Sequence, residues 1–172
     1  MSYHHIAIAT RDMKATHEFY SNGMGFELVH AEKARTGPQA WAKHFFYDTG
    51  NGEMMAFWEI HDDSISRDFP TSISGGLGLP PWTNHIAFGA EDDGELTAAR
   101  ERLLAAGHDV REIDHHWCKS IYAMDPNDIM VEFCTTTREF DDDSATRALA
   151  ALESEEMRDE PAPIIKEYRA SV

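Results

Sequence analysis

The sequence predicts an α+β protein in which two βαβββ modules pair into one curved mixed sheet around a cavity. Two observations carry that fold class. The octet HIAIATRD at residues 5–12 returns as HIAFGAED at residues 85–92, and the same succession of patterns follows each copy: an alternating apolar run, a capped helix, then a strand hairpin. Self-similarity of this kind outweighs any single propensity. A βαβββ unit cannot cover its own sheet, so two copies combine and leave a cavity between them.

The first module is placed at residues 1–60. Ile6, Ala7, Ile8 and Ala9 alternate as a strand, and Asp12 is positioned to cap MKATHEFYSNGMGFEL. In that helix Phe19 and Tyr20 share a face before Gly23 and Gly25 stop it. AWAKHFFYDTGNGEMMAFWEI then reads as two strands joined by the turn DTGNG. Residues 61–81, rich in Ser, Gly and Pro, form a connecting loop long enough to lie over a site.

The second module, residues 82–136, repeats the order. Ile86, Ala87 and Phe88 make a strand, and Asp92 or Asp93 caps a helix with Leu96, Ala99, Leu103 and Ala106 at helical spacing before Gly107. KSIYAMDPNDIMVEFC is the matching hairpin. Aligning Asp48 with Asp125 and Phe57 with Phe133 sets Ala56 opposite Glu132. Residues 137–172 are read as a C-terminal helix and tail. REFDDDSATRALAALESEEM forms an amphipathic helix whose stripe of Ala145, Ala148, Leu149 and Leu152 packs on the body or on a partner chain, and DEPAPIIKEYRASV is an irregular tail. The whole is expected to be one structural domain.

Composition narrows the function. A formal charge of −16 repels phosphate backbones and anionic membranes, which sets nucleic acid and membrane partners aside. No segment approaches the roughly 20 apolar residues of a membrane span, and the opening MSYHHIAIAT has no signal-peptide pattern. Cys118 and Cys134, without a CxxC, read as reduced thiols of a cytoplasmic protein.

Ten histidines in an acidic chain direct attention to metals. His5 and His85 begin the first strand of their modules, and Glu132 lies on the last strand of the second, so symmetry can aim all three into one cup. Two imidazoles and a carboxylate on a rigid sheet make a facial triad for one divalent ion, and the cavity is accordingly expected to contain a metal. Glu132 sits between Val131 and Phe133, where a carboxylate needs a partner. The alternative to a metal is an ion pair with Lys119 or an arginine.

At these residues the chain resembles the vicinal oxygen chelate superfamily of glyoxalases, extradiol ring-cleaving dioxygenases, fosfomycin-inactivating thiol transferases and bleomycin-sequestering proteins. The matching pieces are HIAIATRD with HEFYSNGMGFEL, HIAFGAED, and YAMDPNDIMVEF, anchoring residues 3 to 135. The resemblance implies that His5, His85 and Glu132 are the metal ligands. Glyoxalases place a fourth ligand where Ala56 stands, which points away from a conventional glyoxalase site. The dioxygenases and transferases often carry a tyrosine ten residues before the ligand glutamate, the place of Tyr122, whose phenol would stabilise charge on a substrate oxygen.

His115 or His116, just before that strand, is a candidate for moving protons. Dioxygenases commonly have an active-site histidine before the AF of the fourth strand; this chain has GNGEMMAF there, so His44 or His116 would have to substitute. Cys118 has no base fixed beside it and reads as packing. Met54 and Trp58 share strand parity with Ala56, and Trp82 precedes His85, so these three are expected to wall an apolar, aromatic substrate.

Ring-cleaving dioxygenase acting with Fe(II) on a small, oxygenated, catechol-like molecule is the leading expectation. Donor type alone admits Mn(II), Zn(II), Ni(II) or Co(II) equally. A Mn(II)-dependent thiol transferase or a lyase/isomerase comes second, and sequestration of a small molecule or drug third. The C-terminal helix suggests a homodimer.

Overall fold

A computed structural model of the chain describes residues 2–156 and 161–171. The first module forms β1 (His5–Thr10), α1 (Met13–Glu18) continuing into a π turn at Phe19–Gly23, β2 (Glu27–Arg35), β3 (Trp41–Gly50) and β4 (Glu53–His61). Asp12 caps α1 by accepting from the Lys14 and Ala15 N–H groups. Gly25, at φ 80, turns the chain into β2. The connecting loop holds one short helical turn, α2 (Ile73–Gly76), and a 3-10 turn at Pro81–Thr83.

The second module repeats the plan with β5 (Ile86–Gly89), α3 (Asp93–Ala105), β6 (Val110–Asp114), β7 (Cys118–Met124) and β8 (Met130–Thr136). Asp92, not Asp93, caps α3. The α+β class and the paired modules are those the sequence predicts. Each module makes its own sheet, ordered β1-β4-β3-β2 in the first and β5-β8-β7-β6 in the second, so β1 and β5 are both sheet edges.

The register realises the aligned repeat. Ala7 lies beside Ala56 in the parallel β1–β4 pair, and Ala87 lies beside Glu132 in the parallel β5–β8 pair. Alternation then sorts the faces. Met55, Phe57, Tyr47, Ile121, Ala123, Val131 and Phe133 enter one core with Phe19, Tyr20, Leu96 and Leu103 from the helical segments. That core joins the modules. Arg102 on α3 donates to the carbonyls of Gly23 (3.0 Å) and Met24 (2.7 Å), and Tyr20 donates to Asp125 at 3.0 Å. The opposite face of each sheet is turned away from the core.

The C-terminal region corrects one expectation and removes one of two alternatives from another. α4 occupies Ser144–Leu152, but its apolar stripe does not pack on the body: Leu149 and Leu152 are 66% and 78% exposed. The tail is not irregular, because Ile164–Tyr168 forms β9, antiparallel to β6 at the edge of the second sheet. Met157 of the expected helix and Asp159 and Glu160 of the tail lie outside the described residues. No helix of the described chain is long and apolar enough to cross a membrane.

Candidate metal centre

On the outer face of the second sheet, His85 Nε2 lies 3.0 Å from Glu132 Oε2. Its Nδ1–H donates to the Trp82 carbonyl at 2.8 Å, which orients the ring with Nε2 facing the carboxylate. Ligands about 2.1 Å from an ion and at right angles to each other stand about 3.0 Å apart, so this pair fits two positions of one coordination shell. Glu132 is 5% exposed. Lys119, its alternative partner, belongs to the other face and pairs with Asp93 on α3 at 2.6 Å.

Tyr122 stands next to Glu132 across the β7–β8 pair. Burial, reinforced by the Glu132 charge, raises its phenol well above the ordinary range, so it remains a proton donor. Its hydroxyl is 3.1 Å from His115 Nε2. Ser120, fully buried two residues along the same face, partly offsets the rise of that phenol. Cys118 shares the face, and burial pushes its thiol up to about 12, which suits a packing residue rather than a nucleophile.

His5 is elsewhere. It lies on the outer face of the first sheet, its ring 5.5 Å from that of Phe46 and 6.3 Å from that of His44. Trp58 stacks on His44 at 3.7 Å and 13°. His44 is 6% exposed, with Nε2 lacking a hydrogen-bond partner among the described residues. Burial lowers its pKa and keeps the imidazole neutral. Met54 neighbours His5 in the register, and Trp82 is 65% exposed, meeting the site through its carbonyl. Among the described residues no three His, Cys, Asp or Glu side chains converge as a metal cluster. The candidate residues therefore fall into two groups, His85 with Glu132, Tyr122 and His115 on one sheet, and His5 with His44, Met54 and Trp58 on the other.

His116 joins neither. Its ring is turned the other way and donates to the Ala162 carbonyl at 3.0 Å. Two neighbours of the site lie outside the sequence expectations: Ser120, for which the period-two relation to Tyr122 is the available signal, and the Trp82 carbonyl, for which there is none. A separate cavity of about 380 Å³, lined by Arg11, Trp41, His61 and Arg67, lies at the far end of β1 and β4 and touches no residue of either group.

Residues 2–133 match the model of the Glyoxalase/Bleomycin resistance protein/Dioxygenase superfamily. The chain belongs to that superfamily. Among solved structures, the superfamily domain from Frankia sp. EAN1pec is 18% identical with a TM-score of 0.58, covering 79% of this chain and 98% of its own. A fosfomycin resistance protein from Listeria monocytogenes is 21% identical with a TM-score of 0.54, covering 80% and 94%. A lactoylglutathione lyase from Agrobacterium tumefaciens is 20% identical with a TM-score of 0.51, covering 78% and 92%. At such identities the likeness is one of fold. No curated protein matches the chain at a significant level.

Proposed function

We propose that this member of the superfamily is a metal-dependent homodimeric enzyme that opens the ring of a catechol-like substrate, as an extradiol dioxygenase does. The observation that carries the reading is the joint placement, on one sheet face, of a His85–Glu132 pair with ligand spacing and a Tyr122–His115 pair able to handle a proton.

The third ligand comes from a second copy. β1 and β5 are open edges, which proteins seldom leave bare. Pairing β1 of one copy with β5 of the other covers both edges about a two-fold axis and adds His5 of each copy to His85 and Glu132 of its partner. The donor set is one that Fe(II), Mn(II), Co(II), Ni(II) and Zn(II) all accept. Such an ion supplies Lewis acidity and, as Fe(II), one-electron chemistry.

The chain's own side chains do the rest. Tyr122, kept protonated by burial, donates a hydrogen bond to a substrate oxygen, and His115 behind it accepts or returns the proton. Phe46, Met54 and the Trp58–His44 stack offer a flat apolar wall to an aromatic ring. The same surface disfavours a phosphonate. In the register of the first sheet no lysine or arginine shares the face of His5, and on the second sheet Arg111, on the face of Tyr122, is paired with Glu167 at 2.7 Å.

The test compares Fe(II)-loaded protein with a catechol panel, followed by oxygen uptake, against Mn(II)-loaded protein with fosfomycin and a thiol, followed by thiol loss. Oxygen consumed in step with ring opening is the expected result. Thiol loss without oxygen uptake reassigns the chain as a transferase, and tight binding of a small molecule with neither turnover reassigns it to sequestration.

A further inference from the structure

The superfamily match ends at residue 133, yet a strand well beyond it, β9, is built into the sheet. β9 pairs with β6 from Val110–Tyr168 to Asp114–Ile164. Glu112 on β6, 8% exposed, accepts from Lys166 (2.7 Å) and Arg100 (2.9 Å). Arg111 and Asp109 add ion pairs to Glu167 and Arg169.

Both ends of the excursion between β8 and β9 are tied to one place, the 115–117 loop. The N–H groups of Thr137 and Arg138 donate to the Trp117 carbonyl at 2.9 and 3.2 Å, and the Phe140 ring lies 5.6 Å from that of Trp117. On the return, the Ala162 carbonyl accepts from His116 Nε2 at 3.0 Å. The same loop carries His115 to the Tyr122 hydroxyl. His116 adopts φ 66, in the left-handed region that strains a non-glycine residue. Its N–H donates to Asp114 Oδ1 at 2.8 Å and its ring bond to Ala162 holds it there. With one ring fixed outward on the C-terminal segment, the neighbouring ring is directed inward.

We infer that His116 is a positioning residue through which the C-terminal extension, outside the superfamily match, fixes His115 against Tyr122. The inference rests on reading Tyr122 and His115 as the proton-handling pair. Two full-length variants separate the ring from the backbone. His116→Gly accepts the left-handed conformation but loses the ring, whereas His116→Gln restores an N–H donor that reaches the same carbonyl.

In the metal-free protein, ¹⁵N NMR of the histidine side chains, with the His115 signal identified by its loss in His115→Gln, should show His115 moving to a solvent-like environment in His116→Gly and staying in place in His116→Gln. In the Fe(II) protein, His116→Gly should lose about 10- to 100-fold in kcat, the penalty for an acid–base group displaced by about an ångström, with KM changed less than about threefold. His116→Gln should recover kcat to within about fivefold of wild type. An unchanged His115 signal in His116→Gly overturns the inference, as does a variant that melts earlier while keeping full kcat. If the wild-type protein opens no catechol ring, the functional reading fails and the NMR result still decides the positioning role.

Discussion

Glu112→Gln is the substitution whose effect can be worked most closely. The carboxylate is buried between β6, α3 and β9, and its two charged donors differ in surroundings: the Arg100 side chain is 16% exposed and that of Lys166 is 59% exposed. The Lys166 pair is largely screened by solvent and adds little. The Arg100 bond is partly desolvated, and loss of a hydrogen bond to a charged group costs about 1.5–3 kcal/mol. A destabilisation of about 2 kcal/mol follows, or roughly 4–8 °C in Tm for a chain of this size.

The pH dependence has a definite sign. Burial alone would raise Glu112, but Lys166 and Arg100 outweigh it and hold the carboxyl below its ordinary value. Its stabilisation is therefore complete above the unfolded pKa of about 4.3 and disappears as pH falls through the lower folded value. Urea unfolding followed by tryptophan fluorescence should show wild type and Glu112→Gln well separated at pH 7 and converging in acid. Equal midpoints at pH 7 would refute the claim that this carboxylate anchors the last strand.

Other expectations concern packing and reactivity. Gly25→Ala should cost about 1–3 kcal/mol, read as a lowered urea midpoint, because φ 80 disfavours a side chain and the new Cβ would come within 2.7 Å of Arg102 Nε. Leu103→Ala, at a position 1% exposed where α3 meets the first module, should cost about 2–5 kcal/mol in the same assay. Cys118, 3% exposed and with its thiol pushed up to about 12, should react with Ellman's reagent in the native protein far more slowly than after unfolding.

Much of the architecture was legible because the repeat is written in the sequence. HIAIATRD and HIAFGAED announced two equivalent strands, and the Ala56–Glu132 equivalence appears in the register through Ala7 and Ala87. Asp12 and Asp92 capped their helices because an N-cap is a local matter. The last strand escaped notice for the opposite reason. IIKEY becomes a strand because of β6, more than 50 residues earlier, and its partners Glu112 and Arg100 are non-local.

The site divides along the same line. Strand parity brought Tyr122 beside Glu132 and sent Lys119 to the other face, where Asp93 takes it. Parity has no hold on His116, whose backbone conformation is set by a turn and by a carbonyl 46 residues away. The repeat establishes that His5 and His85 are equivalent, but not whether equivalent residues meet within one chain or between two. The proposed dimer, built on the open β1 and β5 edges, takes the second course.

Subunit mixing tests the proposed intersubunit metal site most directly. His5→Ala and Glu132→Ala proteins, each short of a ligand in both sites of its homodimer, are co-expressed with different tags, and the purified heterodimer is assayed for bound metal. Assembly between copies leaves one site of the heterodimer complete, with His5 from the Glu132→Ala chain and His85 and Glu132 from the His5→Ala chain. The expected result is about one tightly bound divalent ion per heterodimer, against none in either parent. A heterodimer as empty as its parents, beside a metal-loaded wild type, would contradict it.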